Sequence, residues 1–89
     1  MKKTKAKTFV EKVRAIVAKI PKGKTMTYAE VARKAGNPKA ARAVGAVMRS
    51  NYNRDIPCHR VIYSNGGLGS YNRGGTLRKA AILKSEGAI

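Results

Sequence analysis

The sequence predicts a mainly α domain with one short β element, arranged as a winged-helix-like helix-turn-helix. Three observations predict it. Two capping boxes each open an apolar stripe at helical spacing, a Gly-Asn-Pro junction separates two short helical segments, and after Asn51 the pattern changes to a β-branched run entered through a proline. The 89 residues leave room for one domain with one modest core, because so short a chain buries only about 60–65% of the surface it exposes when unfolded. The chain divides into a basic flexible tail, 1–7, and a single domain, 8–89.

The first helix is expected to start at Thr8, whose hydroxyl can cap free backbone amides while Glu11 reaches back to it. Phe9, Val13, Ile16, Val17 and Ile20 then form one stripe, which Pro21 and Gly23 end. Lys12, Arg14 and Lys19 read as a solvated face. Thr27 and Glu30 repeat the capping box, and the short helix carrying Tyr28, Val31, Ala32 and Ala35 stops at Gly36, a natural left-handed cap. Asn37 can cap the next helix, with Pro38 in its first turn, and that helix is expected over 38–50. It is rich in small residues and bears Arg42 and Arg49, so the pair reads as a helix-turn-helix. Gly45 inside it costs about 1 kcal/mol relative to alanine; either a DNA surface or a packed neighbouring helix would compensate. Ile56-Pro57-Cys58-His59-Arg60-Val61-Ile62-Tyr63 reads as a tight turn and short strand, followed by a hairpin-like loop at Ser64-Asn65-Gly66-Gly67. The glycine-rich stretch 69–75 offers close backbone approach to a ligand. A last helix, 76–85, is expected to turn Leu77, Ala80, Ala81 and Leu83 to the core and to end near Gly87.

Lys and Arg number 20 against 4 acidic residues, a formal charge of +16. Such a chain repels itself unless a polyanion neutralises it, which makes nucleic acid the partner class and the helix-turn-helix a DNA-binding domain. A protein with only general phosphate affinity fits the same charge. One cysteine and one histidine fall short of a zinc site and exclude an internal disulfide, so no metal or other cofactor is expected. The basic start is not followed by an uninterrupted apolar stretch, so neither a signal peptide nor a membrane span is expected. An intracellular, reducing location follows, cytoplasmic or, in a eukaryote, nuclear.

A lone cysteine is ordinarily an inert core residue. Cys58, however, follows a proline that fixes the entering chain and precedes the only histidine, in a basic chain of the kind that favours the attacking thiolate. Adjacent side chains on a strand point apart, so His59 would reach Cys58 through a water.

The segments Thr27-Tyr28, Asn37-Pro38-Lys39-Ala40-Ala41-Arg42-Ala43-Val44-Gly45, Asn51, Ile56-Pro57-Cys58-His59-Arg60-Val61-Ile62, Gly66-Gly67-Leu68-Gly69-Ser70-Tyr71 and Lys79 through Glu86-Gly87 carry a family likeness. In order, and nearly in spacing, they resemble the active-site domain of O6-alkylguanine-DNA alkyltransferases, from about Phe9 to Gly87. The resemblance implies DNA repair by single-turnover transfer, in which the cysteine thiolate takes the alkyl group from guanine O6 and stays alkylated. It implies Cys58 as nucleophile, His59 as base through a bridging water, Glu86 polarising His59, Asn51 holding the network, and Tyr28 giving a proton to the departing guanine. The backbone at Val61 and Asn72 would read the base edge, with Tyr71 and Gly69 lining the pocket. The target base would be flipped out of the duplex at a cost of a few kcal/mol, and Arg42 matches the position that fills the vacated stack. Helix 38–50 would lie in the minor groove, where Ala40, Ala41 and Gly45 suit the narrow space and Lys39 and Arg49 add charge.

The implied partner is double-stranded DNA containing O6-alkylguanine, bound by a monomer, with no membrane. Two departures from the family pattern stand out: most members carry an N-terminal domain ahead of this one, and Asn72 stands where serine is frequent. The loop at 52–55 also looks shorter or differently composed. Two other readings remain open, a non-catalytic alkyltransferase-like lesion-binding protein and a plain small helix-turn-helix protein. The first class typically replaces the cysteine by tryptophan, whereas here Cys58 is present and tryptophan is absent.

Overall fold

The computed structural model describes residues 8–53, 55–65, 67–69 and 71–89. The tail read at 1–7, and Arg54, Gly66 and Ser70 within the predicted loops, lie outside the described residues.

Helix α1, Phe9–Ala18, opens with the expected reciprocal cap: the Thr8 hydroxyl accepts from the Glu11 amide at 3.1 Å and the Glu11 carboxylate accepts from the Thr8 amide at 2.8 Å. Val13, Val17 and Ile20 are buried, so the apolar stripe faces the core as its period requires. Helix α2, Tyr28–Lys34, repeats the device with Thr27 and Glu30. It closes in a complete Schellman motif, with Gly36 at φ +91°, the Gly36 amide donating to Arg33 and the Asn37 amide donating to Ala32.

That closure corrects the next boundary. Asn37 completes the end of α2, and its carbonyl accepts from Ala40 at 3.0 Å. Residues 37–40 therefore form a turn with Pro38 at the position its fixed φ favours. Helix α3 runs only over Ala41–Arg49, with Ala40 as its N-cap and no side-chain cap. Val44, Val47 and Met48 face inward, and α3 packs against α2 and α1 to complete the helix-turn-helix.

The β element is a parallel pair of two-residue strands, β1 at Met26–Thr27 and β2 at Val61–Ile62, with Met26 opposite Val61 and Thr27 opposite Ile62. The strand at β1 is not readable as a strand from sequence, since two residues carry no alternation. Cys58 and His59 lie just before β2 in a 3-10 turn, Cys58–Arg60, instead of on the expected strand.

Helix α4, Gly75–Ser85, corrects a second expectation. Leu77 is 87% exposed and Ala81 is exposed, whereas Lys79 and Leu83 are fully buried. The buried residues are one helical turn apart on a common face, and that face carries a lysine which a hydrophobicity pattern assigns to solvent. Among the described residues no helix is long and apolar enough to cross a membrane.

Candidate active site

Pro57, at φ −78° and ψ 71°, makes a tight inverse γ-turn in which the Cys58 amide donates to Ile56 at 2.8 Å. The Asn51 side chain, 2% exposed, donates to the same Ile56 carbonyl at 3.3 Å and to Asn53 at 3.4 Å. Asn51 therefore holds the loop that delivers Cys58, and its hydrogen bonds go to that loop, not to the Cys58 or His59 side chains. Cys58 is a free thiol, 5% exposed. The 3-10 turn separates it from His59 by about 120° around the axis.

His59 Nε2 lies 3.0 Å from Glu86 Oε2. The same carboxylate takes a two-pronged contact from Arg60, Nε to Oε1 at 3.0 Å and Nη2 to Oε2 at 2.8 Å, while Arg60 Nη1 reaches the Ile20 carbonyl at 2.8 Å. These hydrogen bonds, Arg60's first and His59's after, hold the Glu86 carboxyl down at about 2. An ionised carboxylate only accepts. His59 Nε2 therefore carries the proton toward Glu86, and in the neutral ring Nδ1 keeps a lone pair.

Tyr28, at the start of α2, is 7% exposed. Burial, reinforced by Tyr63 and Cys58, pushes its phenol up to about 12, so its proton stays on. Its hydroxyl accepts from Lys79 Nζ at 3.3 Å, and the same Nζ donates to the Val61 carbonyl at 2.6 Å. Burial draws the Lys79 ammonium down to about 8, partly opposed by Cys58. Of the two backbone groups expected to read a base, Val61 uses its carbonyl for Lys79 and its amide for the Cys58 carbonyl.

Tyr28, Cys58, Tyr71 and Asn72 line one small pocket with Gly45, Met48 and Arg49. Its volume is about 10 Å³, room for roughly one water. A groove of about 400 Å³ shares Tyr28, Gly45 and Arg49 with it and adds Ala41, Arg42 and Tyr63. Gly69, at φ +77°, comes so close to Tyr28 that a Cβ there would sit 2.9 Å from the phenol oxygen.

The outer face of α3 carries Arg42, Ala43, Ala46 and Arg49, all exposed, with Gly45 between them; Lys39 is exposed and Ala40 and Ala41 half-buried just ahead. Among the described residues no packed neighbouring helix explains Gly45: a Cβ there would meet the Arg49 guanidinium at 3.5 Å, an ordinary contact. The close approach that this glycine permits lies on the groove side.

Sequence reasoning missed three contributors. Arg60 stands in the quoted Pro-Cys-His-Arg run but shows its role only once Glu86 is folded beside it. Lys79 breaks the rule that lysines are exposed, and the available signal is its spacing of four from Leu83. The Asn72 side chain donates to the carbonyls of Met48, Arg49 and Asn51 at 3.3, 2.7 and 2.8 Å, a role that an expectation placed on its backbone did not include.

Residues 8–88 match the profile of the family described as 6-O-methylguanine DNA methyltransferase, DNA binding domain. The mouse methylated-DNA–protein-cysteine methyltransferase is 53% identical over 66 residues, which cover 73% of this chain and 31% of the mouse protein. The protein of the same name from Methanothermobacter thermautotrophicus is 44% identical over 80 residues, 89% of this chain and 44% of the archaeal one. The chain thus spans less than half the length of these two relatives. Among solved structures, Mycobacterium tuberculosis OGT in complex with DNA superposes with a TM-score of 0.83 at 41% identity, covering 92% of this chain and 50% of that one. S. pombe Atl1, in complex with damaged DNA containing O6-carboxymethylguanine, gives 0.79 at 38% identity over 89% of this chain and 75% of that one.

Proposed function

This chain belongs to the 6-O-methylguanine DNA methyltransferase family, whose DNA-binding domain it matches over residues 8–88, and from that premise we propose that it repairs O6-alkylguanine in double-stranded DNA by moving the alkyl group onto Cys58. The observation that carries the reading is that His59 and Arg60, in the same turn as a buried free thiol, both grip Glu86 at the end of α4, behind a groove walled by the Arg-flanked small face of α3.

In the proposed reaction the thiol proton passes through a water to His59 Nδ1, and Glu86 balances the imidazolium that forms. The Cys58 sulfur attacks the alkyl carbon, the carbon–O6 bond breaks, and its electron pair goes to the departing guanine. Tyr28 gives that guanine its proton. Lys79, donating to the phenol oxygen, leaves the Tyr28 O–H free to point at the base. The product is S-alkylcysteine and unmodified guanine, in one turnover, with no cofactor.

On the DNA side, α3 enters the minor groove, Arg42 fills the place of the flipped nucleotide, and Lys39, Arg42 and Arg49 meet phosphates. Affinity then comes mainly from backbone contacts and weakens with salt. The pocket of about 10 Å³ must widen to admit a purine. The free thiol is consistent with work as a monomer in a reducing, intracellular compartment.

A lesion sensor is the second reading, supported by the likeness to S. pombe Atl1 and opposed by the presence of Cys58. Intact-protein mass spectrometry after mixing with a short duplex containing O6-methylguanine decides between them. A stoichiometric gain of one methyl group on Cys58, abolished in Cys58→Ser while DNA affinity holds, is the expected result. Tight lesion-selective binding without mass change overturns the transfer.

A further inference from the structure

We infer that the side chain of Asn72 couples the DNA-facing helix to the Cys58 pocket. The last carbonyls of a helix have no partner within it, and α2 answers this with a left-handed glycine at its end. Helix α3 has none: the chain continues Ser50-Asn51-Tyr52. Its last carbonyl, Arg49 O, turns instead to an amide more than twenty residues away, with Asn72 Nδ2 at 2.7 Å; the same nitrogen lies 2.8 Å from the carbonyl of Asn51 just beyond the helix and 3.3 Å from Met48 O, which also accepts from the Asn51 amide.

Three acceptors around one nitrogen fix which way the amide faces, since an oxygen in its place would meet only other oxygens. Asn72 Oδ1 is accordingly turned away, buried, and without a hydrogen-bond partner among the described residues.

What the amide joins gives it its purpose. On one side is the end of α3, whose Arg42 and Arg49 line the open groove; on the other is Asn72 itself, in the wall of the pocket that holds Cys58. A second connection runs from the same helix end through Asn51 to the Ile56 carbonyl that also receives the Cys58 amide. A shift of α3 on seating in DNA therefore moves the pocket wall and the nucleophile's turn together. Asn72 is a positioning residue.

The first test does not need the proposed reaction. The rate at which Cys58 takes up iodoacetamide is measured with and without undamaged duplex, for the wild-type chain and for Asn72→Asp, which keeps the shape and removes both donor hydrogens. Duplex is expected to change the wild-type rate and to leave the variant's rate unchanged, both measured at saturating duplex and below the variant's thermal midpoint, which falls because a carboxylate there faces three carbonyl oxygens. An equal DNA effect in both proteins, or none in the wild type, overturns the coupling. A second readout, which rests on the proposed transfer, compares an O6-methylguanine duplex with free O6-benzylguanine. The duplex reaction of Asn72→Asp is expected to slow roughly five- to tenfold more than its free-base reaction, the loss of about one net hydrogen bond. Asn72→Ser, with one donor, falls between and keeps the test open should Asn72→Asp fold poorly. Equal slowing of both substrates overturns the inference, whereas a wild type inert toward both overturns the transfer and leaves the iodoacetamide result standing.

Discussion

Lys79 Nζ lies 2.6 Å from the carbonyl oxygen of Val61, fully out of water, with the Tyr28 hydroxyl as its other partner. A buried ammonium is costly unless its protons are taken up. Here they are taken by a strand of the β pair and by the proposed proton donor, so its position serves the site.

Lys79 gives a pH dependence with a definite sign. Its ammonium, drawn down to about 8 by burial, loses its proton as pH rises through that value. The neutral amine can accept the Tyr28 O–H and turn it from the substrate, so transfer is expected to slow above pH about 8. Folding stability moves the other way: between about 8 and the usual 10.5 only the unfolded chain holds the extra proton, and stability rises with pH. Lys79→Met should lack both trends and lose transfer by about a hundredfold, the lower end of what a proton donor contributes. Single-turnover rates and thermal midpoints against pH check both.

Glu86 makes the opposite case. Its carboxyl is held at about 2, below the usual 4.5, first by Arg60 and then by His59. The stabilisation is therefore fully present above the unfolded value and is lost as pH falls toward the folded one. In Glu86→Gln the stability deficit against wild type should be constant near neutrality and shrink below pH about 4.5. A deficit that persists unchanged at low pH contradicts the ion-pair account, and transfer by the variant should be slow at neutral pH.

Arg42→Ala is expected to slow repair of a duplex lesion while leaving reaction with free O6-benzylguanine nearly unchanged, because only the duplex requires a nucleotide to be flipped. Comparing the two rate constants in one preparation is the check, and equal slowing speaks against a role in flipping.

Gly69→Ala tests the close approach at Tyr28. At φ +77° any Cβ is strained, and this one meets the phenol oxygen at 2.9 Å and Tyr63 at 3.1 Å. The expected loss is about 1–2 kcal/mol from the backbone conformation alone, with a fall in transfer from the displaced phenol. Denaturant unfolding and single-turnover kinetics measure the two effects.

The helix-turn-helix was legible wherever local chemistry decides structure: the capping boxes at Thr8 and Thr27 and the glycine at 36 all act within a few residues of themselves. It was misread where one residue had two available uses. Asn37 is a good cap for a following helix, yet it completes the preceding one, which delays α3 to Ala41. In the site, Cys58, His59 and Glu86 could be proposed from the family likeness, and the 3.0 Å contact joins the last two. Lys79, Arg60 and the Asn72 amide could not be proposed, because what each does depends on a partner 18 to 51 residues away.

The same separations set an order of assembly. Helices α1, α2 and α3 with their caps are built from neighbouring residues and can form early, since short loops close at little entropic cost. The chemistry waits for the far end of the chain: Arg60 reaches back 40 residues to Ile20, Glu86 returns over 27 to His59, and Lys79 over 51 to Tyr28. A chain emerging from the ribosome thus completes the helices proposed to read the groove before the proposed nucleophile has its neighbours in place, and a chain cut short of α4 lacks the carboxylate that His59 pairs with.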